Sequence, residues 1–108
     1  MKVLFFSFIF LASMHVSAWT GENLTVDYID VKGGGSASVY FTSTTDAPNP
    51  KECSQVGTIS WEGTNESSQN FLSTFLAAKM SDKQVQIIAD SNICLWGGWP
   101  SLVTVRIK

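Results

Sequence analysis

Cys53 and Cys94 are the two cysteines of the chain, and its single histidine is His15. An isolated cysteine pair forms a disulfide in an oxidising compartment. A bridge between these two closes a loop of about 40 residues, worth roughly 4 kcal/mol in lost entropy of the unfolded chain. Two free thiols or half of a metal site are the rival readings. Zinc takes three or four protein ligands, and beyond residue 18 there is no histidine to complete the set. No cofactor is implied.

The next unusual residues are aromatic. Ser91–Ser101 reads SNICLWGGWPS, with Trp96 and Trp99 flanking a Gly-Gly. Tryptophan offers a broad apolar face with one polar edge, the shape on which the C–H groups of a sugar stack, and it is enriched at recognition hot spots. Tyr28 and Tyr40 form a second candidate platform. Each has a plainer reading. A tryptophan beside a disulfide fills the core of a small domain, and a tyrosine pair across two strands stabilises a hairpin. Trp61 is expected in the core. The candidate ligand-binding residues are therefore Trp96, Trp99, Tyr28 and Tyr40.

Catalysis finds little footing. No histidine remains after His15, no cysteine is left after the bridge, and no serine sits in a nucleophile motif. The protein is expected not to be an enzyme. Gly33-Gly34-Gly35 lacks the following lysine and the strand-to-helix setting of a phosphate cradle, and reads as a flexible turn. Asn23-Leu24-Thr25 and Asn65-Glu66-Ser67 match the N-glycosylation triplet, which is common by chance.

Residues Met1–Ala18 have the parts of a cleavable signal peptide. Lys2 supplies the positive charge, Val3–Ala12 the apolar run, and Val16-Ser17-Ala18 the small residues before a cut between Ala18 and Trp19. The apolar run is shorter than the roughly 20 residues a membrane span needs. An uncleaved anchor is the alternative, opposed by the polar stretch Thr20-Gly21-Glu22-Asn23 that comes next. Cleavage leaves one domain of about 90 residues, small enough to need help beyond apolar burial. The expected location is secreted or periplasmic. Without Lys2, the seven basic residues become six against nine acidic ones, a net charge of −3. The basic residues are scattered, which argues against nucleic acid as a partner.

The elements that must position these residues emerge from periodicity. Val26–Val31 and Ala37–Thr42 read as a hairpin around the glycine turn. Pairing Val31 with Ala37 sets Ile29 opposite Val39 and Tyr28 opposite Tyr40. One face then holds Ile29, Val31, Ala37, Val39 and Phe41. The other holds Tyr28, Asp30, Ser38, Tyr40 and Thr42, and Val26 is left unexplained. Ser43–Lys51 carries two prolines and reads as a surface loop. Val56–Trp61 is a third strand, ended by Gly63-Thr64-Asn65. A helix from Ser68 to Met80 comes next, with Ser67 as its cap and a stripe of Phe71, Leu72, Phe75, Leu76 and Met80. Val85–Ala89 and Leu102–Ile107 are the fourth and fifth strands, with Val103, Val105 and Ile107 inward. Three strands, a helix and two strands is the order of a five-stranded OB-fold-like Greek-key barrel, a mainly β fold with one helix. An open antiparallel sheet crossed by one helix is the alternative. The barrel is preferred because closure hides sheet edges.

Trp19-Thr20-Gly21 resembles the mature start of subtilase cytotoxin B subunits. The element order and single bridge resemble the small OB-fold B subunits of bacterial AB5-type toxins. Leu76-Ala77-Ala78-Lys79, Val85-Gln86-Ile87, Cys94 and Trp96-Gly97-Gly98 are similar to a set of small exported bacterial proteins. The resemblance implies an OB-fold, ring assembly and binding of host-cell glycans. Val26, Asp27, Tyr28 and Ile29 stand where a serine-bearing sugar-binding segment would be wanted, so no sugar-contact residue is carried across. The expected function is a non-enzymatic secreted domain that recognises a glycan or cell surface. A stand-alone protein-interaction or homo-oligomerisation module is the alternative.

Overall fold

A computed structural model describes residues 19–63 and 66–108. The expected signal peptide, and Thr64 and Asn65, lie outside the described residues. Six strands form one sheet: β1 (Thr20–Leu24), β2 (Val26–Val31), β3 (Ala37–Phe41), β4 (Thr58–Trp61), β5 (Val85–Leu95) and β6 (Trp99–Ile107). One helix, α1 (Glu66–Ser81), lies between β4 and β5. The strand order is β1-β5-β6-β4-β3-β2. β4 and β6 run parallel, and the other described pairs are antiparallel. The mainly β character and the single helix agree with expectation, but the strand count is six, not five.

The additional strand is β1. Its sequence, TGENL, has little β propensity, and pairing rather than patterning makes it a strand. Thr20, Gly21 and Leu24 pair with Ile88, Ile87 and Val85 of β5. Gly21 permits the fit, because a Cβ there would meet Pro48 Cδ at 2.7 Å and Leu24 Cδ1 at 2.8 Å. β1 and β2 stand at the two ends of the strand order, yet only Thr25 separates them in sequence. The Thr25 carbonyl accepts from Thr42 N at 3.1 Å, just past β3. Its hydroxyl accepts from Gln84 Nε2 at 3.3 Å, just before β5.

The β2–β3 hairpin has the expected register, with Val31 on Ala37, Ile29 on Val39 and Tyr28 on Tyr40. Its one irregularity accounts for Val26. The register shifts between Val26 and Tyr28, so Val26 pairs with Phe41 and both side chains are buried. Ala37, Val39 and Phe41 form the core side of β3. Val31 lies at the strand end and is exposed.

Other boundaries move for identifiable reasons. The third strand starts at Thr58, because Gly57 sits in the left-handed region at φ 73°, and a Cβ there would come within 2.9 Å of Thr44 Cα. The stretch Ser91–Ser101, read as a connection, is mostly strand. Cys94 pairs with Pro100 and Leu95 with Trp99, leaving Trp96-Gly97-Gly98 as the turn. In β6, Leu102 and not Val103 points inward. Ala89 pairs with Leu102 and Ile88 with Thr104, so Val103 is the extra residue of a bulge and faces out. Val105 packs against the core, whereas Ile107 is exposed at the strand end.

The helix starts at Glu66, placing Ser67 within its first turn and not at the cap. Its buried face is Phe75 and Ala78, with Phe71 and Leu72 packed alongside; Leu76 and Met80 are exposed. α1 packs on β6 and β2. Phe75 stacks on Trp61 with ring centroids 5.6 Å apart and 10° between planes, and meets Phe41 at 6.3 Å. Trp61 is therefore core, as expected. The helix ends with Asp82 at φ 60°, where Lys83 N donates to Ala78 O at 2.9 Å. This is the left-handed closing motif usually built with glycine.

Cys53 and Cys94 are bridged, with Cα atoms 5.7 Å apart. Asn49 organises the approach. Its Nδ2 donates to Cys53 O and its Oδ1 accepts from Cys53 N, both at 2.8 Å. Gln55 N then donates to Gly98 O at 2.8 Å. The proline loop is thus fixed to the β5–β6 hairpin covalently and by backbone bonding. Among the described residues, no helix is long and apolar enough to cross a membrane.

Candidate ligand-binding site

The outward face of β2, β3, β4 and β6 is built in rows. One row runs along the ladder through Asp30, Ser38, Ser60 and Ser101, each paired with the next. The neighbouring row is aromatic. Tyr28 pairs with Tyr40, and Tyr40 with Thr58. Trp99 lies two residues before Ser101, as Thr58 lies two before Ser60 on the parallel strand, so Trp99 continues the row.

Alternation dictates this arrangement. Side chains two apart on a strand share a face. Ser38 and Tyr40 on β3, and Thr58 and Ser60 on β4, therefore point away from the core that Val39, Ile59 and Trp61 fill. The middle of the face is small and its flanks are large. Ser38, Thr58 and Ser60 are buried although they face outward, beneath larger neighbours. Ser38 Oγ and Ser60 Oγ are 2.9 Å apart and share a hydrogen bond.

The rings form a continuous strip. Tyr28 and Tyr40 are stacked, with centroids 4.2 Å apart and 13° between planes. Tyr40 meets Trp99 edge-on at 5.8 Å and 88°. Trp99 meets Trp96 at 6.3 Å and 74°. Edge-to-face and offset-stacked contacts are the favoured aromatic geometries. Tyr28 is 49% exposed and Trp96 45%, while Tyr40 and Trp99 are half-buried. All four sequence-derived candidates are thus brought together, from β2, β3, the β5–β6 turn and the start of β6.

Partial burial, chiefly, raises the Tyr40 phenol above its usual 10.0; the nearby Asp30 carboxylate, Tyr28, and a hydrogen bond to Asp30 act in the same direction. The strip therefore has one acidic end.

Sequence reasoning does not find Lys32. This residue follows β2 and precedes the glycine turn, where Lys32 N donates to Ser36 O at 2.8 Å. Its Nζ lies 5.3 Å from the Trp96 ring centroid and 5.2 Å from that of Trp99. It also donates to Ser38 Oγ at 3.1 Å. The polar row is partly legible, since Asp30 and Ser38 share the tyrosine face of the hairpin. Ser60 joins it through the antiparallel β3–β4 pairing, and Ser101 only through the parallel β4–β6 pairing, for which sequence carries no signal.

Trp96 has unusual backbone. It sits at φ 48°, with Gly97 next at φ 81°, and the turn closes through Gly98 N donating to Leu95 O at 2.9 Å. A bulky residue in the left-handed region is a genuine outlier, and such strain gathers at functional sites. Among the described residues no cluster of three or more His, Cys, Asp or Glu side chains gathers as a metal site. Comparison with known proteins found no family model, no curated protein and no solved structure that matches the chain.

Proposed function

We propose that this is an exported, non-enzymatic binding domain that recognises a glycan or other cell-surface ligand through Tyr28, Tyr40, Trp99 and Trp96. The observation that carries the reading is the convergence of these rings, from three strands and a turn, into one strip whose ends, Tyr28 and Trp96, are about half exposed, beside the exposed Asp30 and the half-buried Ser101. Flat apolar faces flanked by hydrogen-bonding groups suit a sugar ring, which is apolar on its C–H faces and polar at its edges. The strained backbone of Trp96 supports the same reading, because a left-handed position held by a large, half-exposed ring is of the kind that gathers at functional sites.

The fold proposed for this domain is an OB-like barrel. Its support is that β1 and β2, joined through Thr25, read as two halves of one bent strand. Counted so, the sheet has five strands and closes on itself, with parallel pairing between the third and fifth. The disulfide supports an oxidising compartment, secreted or periplasmic. The resemblance to AB5-type toxin B subunits fits such a domain, with the glycan contacts borne by this aromatic strip.

A glycan array with protein beginning at Trp19 tests the function. Retention of a defined glycan class, weakened at least tenfold by Tyr28→Ala and by Trp96→Ala with the fold intact, is the expected result. No retention above background, or retention indifferent to both substitutions, refutes it.

A second reading, a protein-interaction or self-assembly module, is favoured by a different surface. Trp19, Ile88, Ala89 and Val103 line an outward cleft of about 270 Å³, and Trp19 and Val103 are each 49% exposed. Native mass spectrometry that finds only monomer removes stable self-assembly.

A further inference from the structure

The corner between Trp96 and Trp99 already holds a cation. One ammonium, Lys32 Nζ, lies 5.3 Å and 5.2 Å from two indole rings set 74° apart. An ammonium within about 6 Å of a ring centroid is drawn to the negative face of the ring, and tryptophan is the strongest such partner. Among the described residues, the hydrogen bond that Lys32 Nζ makes is to Ser38 Oγ at 3.1 Å. Ser38 Oγ has a second partner in Ser60 Oγ, 2.9 Å away.

Among the described residues, no side chain packs on the turn that follows Lys32. Gly33 and Gly34 have open space where a Cβ would stand, and Gly34 is at φ 85°. Lys32 is exposed, and its departure vacates no part of the core. A primary ammonium is also a costly occupant of an aromatic corner. It is compact and strongly hydrated, and here one hydroxyl and two ring faces take up part of its surroundings. A quaternary ammonium carries the same charge behind methyl groups, gives up less hydration, and has no N–H to satisfy. Aromatic cages recognise such groups.

We propose that the Trp96–Trp99 corner is a binding site for an alkyl-trimethylammonium group of the choline type, and that Lys32 is its built-in occupant, displaced when the ligand enters. The corner shares Trp96 and Trp99 with the proposed glycan strip, but it requires a cation where a sugar is neutral and it is blocked by Lys32, so the two readings fail on different measurements. Lys32 lowers the apparent affinity by the fraction of time it fills the corner. Its removal therefore strengthens binding, whereas removal of a direct ligand contact would weaken it.

The experiment monitors the indole N–H resonances of Trp96 and Trp99 during titration at constant ionic strength. The probes are tetramethylammonium, choline, and 3,3-dimethyl-1-butanol as the neutral isostere of choline. Both cations are expected to shift the two indoles saturably, and the neutral isostere is not. Lys32→Gln binds both cations about tenfold more tightly. Trp96→Leu, at an exposed turn position, abolishes the effect and leaves the Trp61 resonance in place. Vesicles of phosphatidylcholine form a further arm, in which binding identifies a lipid headgroup as a source and binding of choline alone identifies a soluble one. Equal shifts from the neutral isostere, or weaker binding by Lys32→Gln, overturn the proposal.

Discussion

Trp96 and Tyr40 show how single residues set the chemistry of the strip. At φ 48°, a side chain at position 96 costs roughly 1–2 kcal/mol relative to glycine. Trp96→Gly and Trp96→Ala remove the same ring, but alanine keeps the strain. Trp96→Gly is therefore expected to be about 1 kcal/mol more stable than Trp96→Ala in chemical denaturation, and both lose ligand. Equal stabilities would mean that the turn relaxes and no strain is held. Tyr40 makes a prediction about pH. The folded state binds its phenolic proton more tightly than the unfolded chain does. Its stabilising contribution is thus complete below pH 10.0 and is lost as pH rises through the raised folded value. Tyr40→Phe should flatten that alkaline loss. Asp30→Asn should bring the phenolate absorbance transition of Tyr40 back toward its usual range. The four ring positions are legible because rare large residues stand out in a short chain. Lys32 is not, because a lysine after a strand carries no sign of where its side chain will fold.

At the scale of elements, patterning locates most strands and fails wherever an extra residue enters one. The β2–β3 register is readable from Tyr28, Ile29 and Val31 against Tyr40, Val39 and Ala37, since a one-residue slip would turn the whole apolar set outward. Val26 and Val103 depart from the pattern for a common reason: each adjoins or forms a bulge, and strict two-residue counting inverts after one. Thr20–Leu24 carries no signal because its strand state depends on β5 and not on its own residues. The helix is legible from its spacing, but Leu76 and Met80 fit that spacing without reaching the core, which uses Ala78 instead. Its C-terminus offers a test. Asp82 occupies the left-handed closing position at φ 60°. Asp82→Gly is expected to raise stability by about 0.5–1 kcal/mol, read as a higher denaturant midpoint at unchanged slope. A lower midpoint would show that the aspartate side chain itself supports the helix end.

At the scale of the molecule, two ties hold the proline loop against the hairpin that carries Trp96 and Trp99. They are the Cys53–Cys94 bridge and the Gln55–Gly98 backbone bond. The bridge spans 41 residues of sequence. Replacing both cysteines with serine is expected to cost about 4 kcal/mol, a large share of the stability of a domain this small. It should also loosen the Trp96 turn before the Trp61–Phe75 core, so that the emission of the exposed tryptophans changes at lower denaturant than the core unfolds. A single transition for both would mean that the strip is held by the sheet alone. The pairing of the two cysteines is legible from their number. The contact between the proline loop and Gly98 is not, since it joins segments with no shared pattern.

The most direct test of the aromatic strip is a titration of labelled protein with the strongest binder from the glycan array, monitored at the side-chain resonances of Tyr28, Tyr40, Trp96 and Trp99. All four should shift along one saturation curve while the Trp61 indole stays fixed. Binding that leaves these four unmoved and instead perturbs Trp19, Ile88 and Val103 would place the ligand on a different surface and contradict the account.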